Sequence, residues 1–134
     1  MLSVTVSHVY FDLNCLHRFR QTMVFVHARN ETVRTAMYLA ESARNHGDEQ
    51  YFTATPGAQY GDAAKHVDKS RNKQLRELFP AGFAIHHAGM LRQDRNLVEK
   101  YFAEGLIKCL VCTATLAWGV NLPAHAVIIK VPRL

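Results

Sequence analysis

The chain has 134 residues and a mass of 15.2 kDa, the size of one domain with a real core. Hydrophobic residues make up 49% and charged residues 20%, with only 7 Gly and 4 Pro, which excludes collagen-like, low-complexity and disordered classes. Sixteen basic against eleven acidic residues give a net charge of +5, which permits a polyanionic partner without demanding one.

At the N-terminus, residues 1–16 are fairly apolar but lack Lys and Arg, and His8, Asp12 and Asn14 interrupt them. A signal peptide places charge before its apolar run, so this segment is expected to be an added strand, a short helix or an extension. No apolar run reaches transmembrane length. Three cysteines are an odd, low count that fits a reducing compartment better than a disulfide framework.

Residues 22–27 (TMVFVH) form a short apolar run suited to a strand buried on both faces. Asn30 is the predicted N-cap of a helix carrying Val33, Ala36, Met37, Ala40 and Ala43 at helical spacing, with Gly47 just past its end. Residues 47–62 lack periodicity and predict a long loop. Residues 63–79 predict one helix, basic on one side, ended by Pro80 and Gly82. A second strand over 83–87 leads to a helix over 91–104 with Leu91, Val98 and Phe102 on one face and Gly105 as its stop. Residues 106–112 are the third strand, 113–123 a turn, and 126–130 the fourth strand.

This alternation predicts an α/β fold with a mostly parallel sheet and helices on both faces. In such sheets ligands gather beyond the carboxyl ends of the strands. Three segments begin there: His27-Ala28-Arg29, His87-Ala88-Gly89 and Thr113-Ala114-Thr115. Each carries a small residue that lets a phosphate approach the main chain, where hydroxyl and amide groups donate.

Other signals weigh less. Cys109 and Cys112 have C-x-x-C spacing, but residues three apart on a strand point to opposite faces, against a redox pair. The adjacent His86 and His87 lack metal-ligand spacing, so no metal site is expected. Trp118 is a core residue or a base-stacking one, and Lys65, Lys69, Arg71, Lys73 and Arg76 are a solvated helix face with a weaker option of phosphate contact. No Gly-Lys dipeptide provides a Walker loop, no acidic pair ends a strand to hold magnesium, and no nucleophile elbow is present. No catalytic residue is assigned.

Residues 23–29 (MVFVHAR), 86–95 (HHAGMLRQDR) and 113–124 (TATLAWGVNLPA) resemble motifs IV, IVa and V in the second RecA-like domain of Ski-like superfamily 2 helicases. Residues 70–80 (SRNKQLRELFP) narrow the resemblance to one branch of that group, with the U5 spliceosomal branch as nearest competitor. The resemblance covers residues 22–130, leaving 1–21 as an extension unlike the family and 131–134 as a divergent tail. It implies a RecA-like domain truncated before motif VI. Thr113 would match the residue touching the nucleic-acid backbone, and Arg29, His87, Gly89 and Arg95 fall in motifs that contact or support the strand. Gly119 and Asn121 would lie near the nucleotide cleft.

The family couples ATP hydrolysis to 3′-to-5′ movement on single-stranded DNA or RNA, using ATP and Mg in the complete helicase together with a first RecA-like domain. That domain and motif VI are not found in this sequence, so a fragment, alternative product or truncated gene product is expected, without turnover or tight cofactor binding on its own. The other reading is a non-catalytic nucleic-acid or protein interaction module.

Overall fold

A computed structural model of the chain describes residues 3–7, 21–113 and 126–130. The strands are β1 (Ser3–Ser7), β2 (Thr22–Val26), β3 (Phe83–His86), β4 (Cys109–Thr113) and β5 (Ala126–Lys130). They form one parallel sheet in the order β1-β5-β2-β4-β3. The helices are α1 (Arg29–Asn45), α2 (Ala58–Asp68), α3 (Lys73–Leu78) and α4 (Arg92–Ala103).

From β2 the chain crosses β4 to reach β3, returns through α4 to β4, then passes β2 to reach β5. These crossovers run in opposite directions along the sheet. Right-handed connections therefore place α1 and α4 on opposite faces. Every residue of β3 and β4 is buried, as two covered faces require. Leu39, Ile85, Phe102 and Leu110 lie in the core that results. This is the α/β architecture of a RecA-like domain.

Helices α1 and α4 stop in the same way. Gly47 (φ +72°) donates to Arg44 O and Asp48 to Ala43 O; Gly105 (φ +81°) donates to Phe102 O and Leu106 to Tyr101 O. Both are Schellman ends, in which glycine takes the left-handed position and satisfies carbonyls left over by the helix. At this same end of the sheet, the Gln21 amide donates to Phe102 O and Ile107 O, tying the approach to β2 onto the α4–β4 turn.

The structure corrects several expectations. Asn30 lies inside α1 rather than capping it; Ala28 is the N-cap, and the Thr32 hydroxyl donates to Arg29 O within the first turn. The loop predicted over 47–62 is shorter, because a 3-10 turn (Glu49–Tyr51) and the start of α2 occupy part of it. The single helix predicted over 63–79 is two, broken at residues 69–72. The Asn72 side chain accepts from Leu75 N and restarts the chain as α3. Leu91 caps α4 and is 55% exposed, so Val98 and Phe102 hold the buried face without it. Leu106 and Ile107 are buried but precede β4.

β5 is paired on both sides, with β2 within the sheet and β1 as its outer neighbour. Of the added strand, short helix or extension expected at the N-terminus, Ser3–Ser7 is a strand, in register from Ser3 opposite Ala126 to Ser7 opposite Lys130.

Candidate nucleic-acid interface

The register brings three strand ends to one level. Val26, the last residue of β2, pairs with Thr113, the last of β4, and His86, the last of β3, pairs with Cys112. The segments that follow β2 and β3 therefore leave from one rim, beside Thr113. The parallel register accounts for this: three buried apolar runs of similar length start near one another and end together.

On that rim, Arg29 opens α1 with its side chain exposed. The turn after β3 is tight: Met90 N donates to His87 O at 3.2 Å, and Gly89 N donates to His87 Nδ1 at 3.0 Å. A Cβ added at Gly89 would stand 3.1 Å from Arg29 Nη1 and 3.1 Å from both His87 Nδ1 and Cε1. Arg29, His87 and Gly89, distant in sequence, thus form one packed cluster. A side chain at position 89 would oblige the guanidinium and imidazole to give way by a few tenths of an ångström.

Arg95 stands behind the cluster on α4, half-buried, with its Nε out of contact with solvent. Beneath it, His86 is buried, and its Nε2 is 2.9 Å from Glu99 Oε1. Burial holds the His86 pKa below the ordinary histidine value, against the pull of Glu99 and with some help from Arg95. The His87 pKa is also lowered, first by burial, then by the charges of Arg29, His86 and Arg95. The rim thus carries two permanent cations, Arg29 and Arg95, around a neutral imidazole. The carboxylate that approaches it, Glu99, is engaged with His86. Such a surface favours an anion.

Of the site residues expected from sequence, Arg29, His87 and Gly89 are in contact, and Arg95 acts on His87 through its charge. Thr113 lies at the same level but is buried, with 9% exposure. Gly119, Asn121 and Trp118 lie outside the described residues. Lys65, Lys69, Arg71, Lys73 and Arg76 are exposed, as a solvated face should be, and Lys73 reaches Glu77 at 3.7 Å. The His86–Glu99 pair had no signal in sequence, because nothing in a His-His dipeptide tells which ring turns inward. Cys109 and Cys112 are buried, reduced and spread along β4; burial raises both thiol pKa values, that of Cys109 to about 12. Among the described residues, no three His, Cys, Asp or Glu side chains converge as metal ligands.

Comparison with known proteins gives this geometry a context. The helicase conserved C-terminal domain family matches residues 58–132. Activating signal cointegrator 1 complex subunit 3 from Bos taurus is 74% identical over 110 residues, covering 82% of this chain and 5% of that protein. The Homo sapiens protein of the same name is 72% identical over the same span. A DExH-box ATP-dependent RNA helicase of Arabidopsis thaliana is 55% identical over 114 residues, 85% of this chain and 5% of its own length. The chain thus spans about one-twentieth of the length of these relatives.

Proposed function

The chain belongs to the helicase conserved C-terminal domain family, and from that premise we propose that it supplies the strand-gripping rim of the second RecA-like domain in an ATP-dependent 3′-to-5′ nucleic-acid helicase. The observation that carries this reading is the shared rim of β2, β3 and β4, where Arg29, His87 and Gly89 pack together. A phosphodiester held there would be gripped through its backbone, with little dependence on base identity. Thr113 would support the same grip from the end of β4, and Arg95 would add long-range attraction.

In this reading residues 22–130 make up the helicase domain proper, with 1–21 and 131–134 flanking it. ATP with Mg supplies the driving reaction when bound in the complete motor, whose first RecA-like domain closes over this one. Gly119 and Asn121 are the residues of this chain proposed to line that cleft. The likeness to the cointegrator subunit extends the proposal to a parent that unwinds DNA in repair and acts in transcription coactivation and ribosome rescue. That parent would work with signal cointegrator complex subunits in the nucleus or cytoplasm. Among the described residues no helix is long and apolar enough to cross a membrane.

The test is fluorescence anisotropy with labelled oligo(dT) and oligo(rU) across a salt series. The expected result is binding that weakens as salt rises, is similar for both polymers, and is reduced by Arg29→Ala and Thr113→Ala. Unchanged affinity in both variants would place the strand elsewhere. The isolated chain is expected to hydrolyse no ATP with or without oligonucleotide; turnover that co-elutes with it on a sizing column would overturn that part.

A further inference from the structure

We propose that His87 serves this rim as a neutral hydrogen-bond donor, presenting Nε2–H to a phosphate oxygen of the bound strand while the Gly89 amide fixes its tautomer. The ligand in this proposal rests on the strand-gripping reading above; the tautomer does not. A backbone amide can only donate, so the 3.0 Å bond from Gly89 N obliges His87 Nδ1 to carry a lone pair. The ring proton of the neutral imidazole then sits on Nε2. Among the described residues nothing else is bonded to this ring, so Nε2–H is available to a ligand.

A doubly protonated ring would turn an N–H toward the Gly89 N–H and lose the bond that holds it. The surroundings act in the same direction. Arg29 from α1, Arg95 from α4 and His86 from β3 all face His87, and each disfavours a second proton, as does burial of the ring. The roles on the rim therefore divide: Arg29 contributes charge and attraction at a distance, whereas His87 contributes direction at contact. The absence of a Cβ at Gly89 leaves room for the two side chains beside the turn.

This division is measurable, because a cation and a neutral donor differ in salt dependence. Neutralising one cation that meets a single strand lowers the slope of log K against log salt by about 0.7. Removing a neutral donor lowers affinity and leaves the slope alone. The experiment measures oligo(dT) binding by the wild-type chain, His87→Ala, His87→Gln and Arg29→Ala over a salt series at pH 6.5 to 8.5. Long-range ¹⁵N–¹H correlation spectra of the His87 ring are recorded on the free chain, and thermal melts confirm that each variant is folded. The expected result is about a three- to tenfold loss for His87→Ala with unchanged slope at every pH. Gln, which can offer an amide N–H, should recover part of that loss. Arg29→Ala should flatten the slope, and the spectra should show Nδ1 unprotonated at pH 7.

A slope change for His87→Ala matching that of Arg29→Ala overturns the donor role, as does a His87 contribution that grows on acidification. A proton on Nδ1 in the free chain overturns the tautomer. If the wild-type chain binds no oligonucleotide, the strand-gripping reading falls and takes the donor role with it, whereas the tautomer is still decided by the spectra.

Discussion

The hydroxyl of Ser70 donates to Asp94 Oδ1 at 2.6 Å, with both residues buried. The same hydroxyl oxygen accepts from Asn72 N, and Asn72 in turn caps α3. One short hydrogen-bonded chain therefore joins the break between α2 and α3 to the first turn of α4, a few residues beyond the Arg29–His87–Gly89 cluster. Ser70→Ala would leave a buried carboxylate oxygen without its donor. It should cost roughly 1.5–3 kcal/mol, since hydrogen bonds to charged groups are worth about that much. Urea unfolding checks the value. The double variant Ser70→Ala/Asp94→Ala should cost less than the sum of the two single ones, because the partners share one interaction.

Gly82 and Gly47 both take positive φ, at +88° and +72°, but differ in their surroundings. A Cβ at Gly82 would stand 1.7 Å from the Phe52 carbonyl oxygen, while nothing lies within 4 Å of one at Gly47. Gly47→Ala should therefore cost ~1 kcal/mol, for the backbone conformation alone. Gly82→Ala should cost ~3 kcal/mol or more, since the clash with backbone adds to the strain. Equal losses in thermal or urea melts of the two variants would contradict this contrast.

Acid should weaken the fold through its histidines. His86 and His87 have native pKa values lowered below the ordinary 6.5, so the unfolded chain takes up their protons first as pH falls. Wherever the unfolded state binds more protons, stability rises with pH. The contribution of these rings is thus fully present above the unfolded value and is lost as pH falls from there through the native values. His86→Gln removes one titrating group while keeping an amide that can donate to Glu99. Melts between pH 7.5 and 5 should show a shallower decline for this variant than for the wild-type chain.

The strand thiols should be silent in the native protein. Cys109 and Cys112 are fully shielded, and the thiolate is the reactive form, which burial disfavours at both. Titration with a disulfide reagent at pH 8 should release at most one thiol per native chain, because two of the three cysteines are these. All three should react in urea.

The parts of the fold carried by local chemistry are those legible in the sequence. Apolar β-rich runs marked β2 and β5, and Gly47 and Gly105 marked two helix ends, because left-handed backbone selects glycine wherever it occurs. The strand-end rule located the rim for the same reason: it needs only the ends of buried runs. What depends on distant partners was not legible. The spacing of Leu75, Leu78 and Phe79 suits one long helix as well as a broken one, and the break depends on Ser70 meeting Asp94 across the fold. Leu91 matches the apolar face by period yet falls at the cap, where the helix has not begun. That His86 ends β3, buried against Glu99, while His87 falls in the turn beyond it was not legible either, because sequence placed the end of that strand one residue late.

The pairing of β1 with β5 also has a mechanical consequence. The two strands are parallel, so Ser3 and Lys130 sit at opposite ends of their shared ladder. Tension applied between those two residues loads the bonds of the ladder side by side, in shear, instead of peeling them one after another. Stretched by that pair of handles, the molecule should hold to a higher rupture force than when gripped at Ser3 and Ala126, which would unzip the strands from one end.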